Sequence, residues 1–417
     1  MAHLVRGPRP AGGYPTGTGA PLGDPSKGGV GPAEAGRVVS LIILLIVVSL
    51  FGFSGCTTTN ATAQAGLGNG WVPTSSMNLE YATKFSVDFY QDDYALISIV
   101  SGTSTDRYLV VPSGKTAPKG IADNIVVLQQ PLTNIYVAAS ATMSLFAALD
   151  SLSAVKFSAL QADSWYVPAA KQAMDSGQIL YGGKYSAPDY ELILKDNPGL
   201  AVENGMIYHS PEVKEKLESL GIPVLVEQSS YESHPLGRTE WIKVFGVLLG
   251  KQDLAQQIFS QQTAQLDAVI GQADTGKTVA FFYISSAGYV VTRKSGDYIP
   301  TMIRLAGGEY IFTNLGDDTA TSTINLEMEQ FYAQARGADF IIYNSTIGGE
   351  LASMADFLAL NSLLTDFSAV QSGQVWCTDQ DFYQDMTGLG TMITDIHQML
   401  TSGDPSLTGL TFLHKLS

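Results

Sequence analysis

The spacing Gly-x-x-x-x-Gly-Lys-Thr, which lets backbone amides and a lysine close around a phosphate, occurs as GQADTGKT at residues 271–278. That cradle works where the loop leaves a strand and opens a helix, so that amides and the helix N-terminus converge on the anion. Here a helical pattern precedes the loop and an apolar run at 279–284 follows it, which reverses the geometry and argues against nucleotide binding. The five histidines, His3, His209, His234, His397 and His414, are too scattered for an HExxH pair or another tight ligand set, so no resident metal is expected. There is no GxSxG, no carboxylate pair in a shared motif and no Cys–His arrangement, so no catalytic residue is assigned and an enzyme is not expected. The two cysteines cannot make a disulfide framework. Cys377, inside the strand-like QVWCT, reads as a buried structural thiol, which leaves Cys56.

Cys56 ends Phe53-Ser54-Gly55-Cys56, behind an apolar run at 38–53 and a Gly/Pro-rich leader carrying Arg6, Arg9, Lys27 and Arg37. As a helix that run reaches about 24 Å, short of the ~30 Å hydrocarbon core, so it fits an export segment better than a membrane span. The pattern resembles a bacterial lipobox, with Phe53 where Leu is preferred. The resemblance implies lipid transfer to Cys56, removal of residues 1–55 as a signal peptide, and a flexible tether at 56–75 holding the protein on the outer face of the cytoplasmic membrane. An uncleaved anchor helix is the alternative.

The elements that must position any site follow from composition and rhythm. With 417 residues, 45% hydrophobic and 15% charged, the chain can bury cores in two to three domains. Its net charge of −16 argues against a grip on phosphate backbones, so nucleic acid is not an expected partner. Residues 76–130 carry alternating runs such as Phe85, Val87 and Phe89, or Tyr108 to Val111, and predict a small antiparallel β appendage. From 131 to 250 short apolar strands alternate with helical stretches, the signature of a parallel α/β lobe. Within 251–274, Leu254, Ala255, Ile258, Phe259, Leu266, Val269 and Ile270 recur at helical spacing and predict one helix of roughly 30 Å. The strand–helix rhythm returns over 275–417. The fold class is therefore α/β, two Rossmann-like lobes joined by a single long α-helix, with a small N-terminal β appendage. Two lobes on one rigid connector behind an export signal define a cleft-forming binding protein better than an enzyme.

Three segments carry a likeness to a known family. Residues 185–203, YSAPDYELILKDNPGLAVE, are similar to the strand-linking motif of class III solute-binding proteins, which serve ABC importers of ferric siderophores, haem and vitamin B12. Residues 210–226, SPEVKEKLESLGIPVLV, resemble a helix and strand of the first lobe of that family, and 229–243, SSYESHPLGRTEWIK, resemble lipoproteins of its iron-complex subgroup. The resemblance implies a monomer that captures a chelate of iron or cobalt (ferric siderophore, haem or corrinoid) and hands it to an ABC permease, whose separate ATPase subunits spend the ATP. It holds no cofactor of its own. The alternatives are an extracytoplasmic metal-chelate-processing enzyme and a non-transport surface lipoprotein on the same fold.

In this family an acidic residue on each lobe docks into arginine pockets of the permease. The matching positions are Glu191 and, in the second lobe, Glu329, with Glu327 as the fallback. Ligand contacts are expected from loops at the carboxyl ends of strands. In the first lobe these are Ser140, Thr142, Trp165 and Tyr166, then Tyr181 and Lys184. Met206, Tyr208, His209 and Tyr231 follow, and Arg238 with Trp241 completes that lobe. The second lobe adds Tyr283, Ser286, Tyr289 and Arg293, together with Asn344 and Tyr383. Aromatic side chains would stack on a bulky chelate and Arg or Lys would meet its anionic oxygens. His209 and His234 fall in the expected cleft loops, where one could be an axial ligand to a haem or corrinoid metal; a hydrogen-bonded surface or core histidine is the reading that stands ahead of it.

Overall fold

A computed structural model of the protein describes residues 67–68, 70–316 and 322–417; Cys56, the leader and the first part of the tether lie outside them. Within the described residues no helix is long and apolar enough to cross a membrane.

The appendage is a five-stranded sheet, Ser75–Ser76, Phe85–Phe89, Ala95–Ser101, Ser104–Val111 and Ile125–Gln129, in that spatial order. It departs from the expected antiparallel pattern at its last strand, which runs parallel to its neighbour with Arg107 opposite Ile125, because residues 112–124 carry the chain back before it re-enters the sheet. Alternation sends Phe85, Val87, Ile97, Ile99, Tyr108 and Val110 to one face and Leu96, Leu109 and Val111 to the other. The first face joins the core of the adjoining lobe; the second is covered by Leu67, Tyr90, Tyr94 and Trp71. The sheet is thus a buried layer, not a peripheral attachment.

The adjoining lobe is a five-stranded parallel sheet in the order Val224–Glu227, Ala201–Asn204, Ile135–Val137, Val155–Ser158, Leu180–Tyr181. Its β-branched strands are buried on both faces, as parallel strands under crossover helices must be. Three helices then lead to the second lobe: α1 (Pro235–Glu240), α2 (Ile242–Leu249) and α3 (Gln252–Asp267). Gly250, at φ +66°, gives α2 its left-handed C-terminal turn.

The linking helix α3 ends at Asp267 and does not run on to 274. At ~1.5 Å per residue its 16 residues span about 24 Å. Val269 turns into the core while Ile270 is exposed, so the apolar pair that extended the helical pattern belongs to the turn beyond it. Helix α3 packs on α1, on α2 and on the closing helix α5 (Leu389–Thr401).

The second lobe is mixed where the strand–helix rhythm implied parallel units. Its central strand Thr278–Ile284 is flanked on one side by Phe340–Tyr343 and Val375–Thr378, both parallel, and then by antiparallel Leu413–Lys415. On the other side the chain turns straight back at 285–289 into Val290–Arg293, and Thr323–Leu326 pairs antiparallel beyond it. Helix α4 (Tyr298–Leu305) covers this lobe together with α5. The 271–278 loop leaves the turn after α3 and enters the central strand, and the amide and hydroxyl of Thr278 both donate to Asp339 Oδ2, at 2.8 and 2.9 Å. Cys377 is fully buried, and burial pushes its thiol up to about 12.

Candidate functional site

Loops leaving the carboxyl ends of both sheets meet, since those after Ile135–Val137 and Val155–Ser158 are hydrogen-bonded to the one after Val375–Thr378, and these loops carry the candidate side chains. In the first lobe Tyr166 follows strand Val155–Ser158, Met206 and Tyr208 follow Ala201–Asn204, and Tyr231 follows Val224–Glu227. In the second, Tyr289 stands in the turn after the central strand and Ile347 follows Phe340–Tyr343. These six account for most of the large apolar side chains that are exposed among the described residues. Their backbones explain the placement. Tyr231 lies across Gly205, where a Cβ would come within 2.7 Å of its hydroxyl, and Gln228 Nε2 reaches the Tyr208 hydroxyl at 3.4 Å. The result is an aromatic rim that keeps its faces in water, an arrangement suited to stacking on a bulky apolar solute.

Below the rim, polar groups from both lobes converge. Arg238, fixed by donation from its Nε to the Ser229 carbonyl at 3.0 Å, lies over the ring of Tyr298 with 3.7 Å between guanidinium carbon and centroid. On the side of the second lobe Arg293 Nη2 donates to the Tyr383 hydroxyl at 2.6 Å, and Asn344 Nδ2 donates to the same oxygen at 3.0 Å. Asp297 is the nearest carboxylate, 3.5 Å from Arg293 Nη1, and it also caps α4 through the Ile299 amide. Arg293 Nε and Asn344 Oδ1 are buried with no hydrogen-bond partner among the described residues. Such orphaned buried groups are costly unless a ligand or water meets them. Arg293 Nε can therefore donate to an anionic or acceptor oxygen of a ligand, while Asn344 Oδ1 offers an acceptor to a donor group. Asp381 lies nearby, its carboxyl pushed up to about 6 by burial and by Asp385 and Asp379.

Several expected contacts are placed elsewhere. Trp165 is buried and donates from Nε1 to Ser158 Oγ at 3.2 Å; Trp241 is fully buried against Phe85 and donates to Glu232. Thr142 is buried and donates to the Ala139 carbonyl. All three are spent on core structure because an indole or hydroxyl that finds a partner inside gains more from burial than from the loop surface. Their assignment as ligand contacts is corrected accordingly. His234 is likewise an internal group: its Nδ1 accepts from the Leu236 amide, its ring stacks on Tyr81 at 4.3 Å, and burial lowers its pKa to about 4. Ser140, Tyr181 and Tyr283 are partly exposed, and Lys184, His209 and Ser286 are exposed at the strand ends. Tyr298, Ile347 and Gln384 were not anticipated, since none belongs to a local motif.

The lobes also touch directly. Gln384, in the loop between strand Val375–Thr378 and α5, accepts from the Tyr166 amide at 2.9 Å and donates to the Ser164 carbonyl at 2.8 Å. Met386 donates its amide to Ser144 Oγ at 3.1 Å and accepts at its carbonyl from Thr239 Oγ1 at 2.8 Å.

Two exposed glutamates flank the same edge. Glu191 lies in the first turn of helix Tyr190–Lys195, which Asp189 caps through the Leu192 amide at 3.0 Å. Glu329 lies in the first turn of Met328–Ala335, and Leu326, just before it, is level with Ile284 through their shared neighbour Val290. Both helices therefore begin at the carboxyl edge of their sheets. Among the described residues no group of three or more His, Cys, Asp and Glu could hold a metal ion.

Comparison with known proteins agrees with this geometry. A family model described as periplasmic binding protein matches residues 135–382, more than half of the chain. An uncharacterized lipoprotein of Methanocaldococcus jannaschii is 25% identical over 351 residues, covering 78% of this chain and 81% of its own. A second uncharacterized lipoprotein of that organism is 23% identical over 402 residues, covering 89% and 98%. Among solved structures, a periplasmic binding protein from Veillonella parvula shares the fold with TM-score 0.56 and 16% identity over 74% of this chain and 98% of its own. A periplasmic heme binding protein of Vibrio cholerae does so with TM-score 0.52 and 19% identity, over 64% and 99%. A petrobactin-binding protein of Bacillus subtilis gives 0.53 and 13%, over 65% and 92%.

Proposed function

The chain belongs to the periplasmic binding protein family, and from that premise we propose that it is the lipid-anchored substrate-binding protein of an ABC importer, taking a metal chelate in its interlobe cleft. Members of the family bind small solutes and deliver them to permeases. The observation that carries the choice of ligand is the rim: exposed Tyr166, Met206, Tyr208, Tyr231, Tyr289 and Ile347 gathered at the carboxyl ends of both sheets, above the Arg238 and Arg293 floor. A free ion would have no use for so much exposed aromatic surface. A ferric siderophore, haem or corrinoid presents both a broad apolar face and anionic oxygens, and would use rim and floor together. The solved neighbours from Vibrio cholerae and Bacillus subtilis are a heme binding and a petrobactin-binding protein, which favours a chelate here.

In this reading Cys56 carries the acyl anchor, and the homologues named lipoproteins support it. Glu191 and Glu329 dock the two lobes on the permease, where exposed carboxylates contribute orientation and encounter rate more than affinity. The chain itself performs no chemistry on the cargo. The test is titration of intrinsic fluorescence with haem, a panel of ferric siderophores and cobalamin. Saturable quenching by one chelate, weakened in Arg293→Ala, supports the reading; no response to any of them defeats the choice of ligand. For docking, paired Glu191→Lys and Glu329→Lys are expected to abolish uptake while leaving the titration unchanged.

A further inference from the structure

We infer that Gln384 is a releasable latch between the lobes, a positioning residue that sets how far the cleft stands open. Gln384 belongs to the second lobe by sequence, yet both ends of its side-chain amide are spent on the first: Oε1 accepts from the Tyr166 amide at 2.9 Å and Nε2 donates to the Ser164 carbonyl at 2.8 Å. Two residues further on, Met386 is held at its amide by Ser144 and at its carbonyl by Thr239. A strap of three residues thus carries four hydrogen bonds across the interface, in addition to the covalent link through α3.

The two halves of the strap differ in one physical respect. Met386, Ser144 and Thr239 are buried, so breaking their bonds would leave polar groups unsatisfied away from water. Gln384 and its partners lie at the surface, where water replaces a lost bond at small cost. Lobe opening therefore pivots on Met386 and proceeds by release of Gln384. Two exchangeable bonds of this kind bias such an equilibrium by about tenfold. The latch also sits where the bias matters, because its bonds join the loop bearing Tyr166, on the rim, to the loop bearing Tyr383, on the floor.

The consequence for ligand capture rests on the reading of the cleft given above, but the latch is tested with no ligand present. The full chain carrying Cys56→Ser retains only the buried Cys377, so spin labels at Glu215→Cys and Gln334→Cys, both exposed and on opposite lobes, report lobe separation. Amide exchange at Tyr166 reports the bond itself. In the wild type Tyr166 N–H is expected to be protected despite its exposed side chain, with a narrow label distance. Gln384→Ala is expected to raise exchange at Tyr166 about tenfold and to add longer distances. Gln384→Glu, which keeps the acceptor for Tyr166 but turns a second oxygen toward the Ser164 carbonyl, is expected to retain protection and broaden the distances partly. An unprotected Tyr166 in the wild type overturns the inference, as do label distances in Gln384→Ala that superimpose on the wild type. If every chelate fails to bind, the functional reading falls while these measurements stand.

Discussion

The guanidinium of Arg238, carried by the first lobe, lies 3.7 Å from the ring centroid of Tyr298, carried by the second. This stacked pair puts a cation and an aromatic face at the seam of the two lobes, with Arg293 on the same ring at 5.6 Å. Contact at 3.7 Å lays the Arg238 guanidinium on the ring, and Arg293, engaged through Nη1 and Nη2, keeps Nε for an incoming acceptor.

Replacing either arginine should therefore weaken an anionic chelate, and because Arg293 pairs with the buried Asp297 the folded state of each variant is checked by its Tm. Charge-assisted bonds are each worth roughly 1.5–3 kcal/mol, so Arg238→Ala and Arg293→Ala are each expected to raise Kd about tenfold to a hundredfold. Fluorescence titration of the two variants against the wild type measures this, and an unchanged Kd in both would remove the floor from the site.

A second expectation concerns Glu240, which accepts from the Glu80 amide at 2.9 Å and from the Tyr81 and Ala82 amides at 2.8 Å, and pairs with Lys243 at 2.8 Å. Its neighbour Glu232 takes the amides of Thr83 and Lys84 at 2.9 Å, so five successive backbone donors end on two buried carboxylates. Lys243 is nearly buried and sits over Phe259 at 4.2 Å. Glu240→Ala strands that charge and three amides, and urea unfolding should show a loss of about 3–5 kcal/mol. Breaking the exposed Lys115–Asp92 pair by Asp92→Asn should leave the midpoint unchanged.

Glu203 gives a pH signature. It is fully buried, neither carboxyl oxygen has a partner among the described residues, and burial pushes its pKa from 4.5 to about 8. Between those values the folded state holds a proton that the unfolded state has lost. Stability contributed by this group is therefore present at acid pH and falls as pH rises, by up to about 1.4 kcal/mol per unit, until it levels off above pH 8. Glu203→Gln keeps the neutral shape and removes the slope. Unfolding measured at pH 5 and pH 8 should differ by a few kcal/mol less in the variant than in the wild type; parallel profiles would show that Glu203 is ionised inside the fold.

Gly390 marks where the closing helix meets the linking helix. Gln262 on α3 accepts from the amides of Gly390 and Thr391 at 2.9 and 3.2 Å, and a Cβ on Gly390 would collide with the Gln262 backbone carbonyl. Gly390→Ala is expected to cost about 1–3 kcal/mol, read as a lowered Tm. Gly337→Ala, with open space around the new carbon, is the matched control and should be silent.

Local rhythm made most of the fold legible. The apolar runs at 135–137, 201–203 and 224–226 alternate with short helices, the arrangement that buries strands on both faces. What escaped reading is long-range. That Glu232 ties down Thr83, 149 residues away, leaves no local mark, and the second lobe's antiparallel edge depends on a five-residue turn at 285–289 that resembles any other loop. Candidate contacts were legible by position but not by side-chain direction. Trp165 and Tyr166 are adjacent in the same loop, yet the indole turns inward to Ser158 while the phenol faces water.

The clamp on residues 80–84 sets an order of events during synthesis. Those amides precede Glu232 and Glu240 by about 150 residues, so wherever the chain emerges N-terminus first they appear before their acceptors do. Through that interval the inward face of the sheet, with Phe85, Ile97 and Tyr108, has no lobe to lie on. The nascent N-terminal layer is thus the stretch most exposed to misassociation. A gene trimmed to the family boundary at 135 would lift that hazard at the expense of leaving the buried carboxylates of Glu232 and Glu240 without the amides that satisfy them.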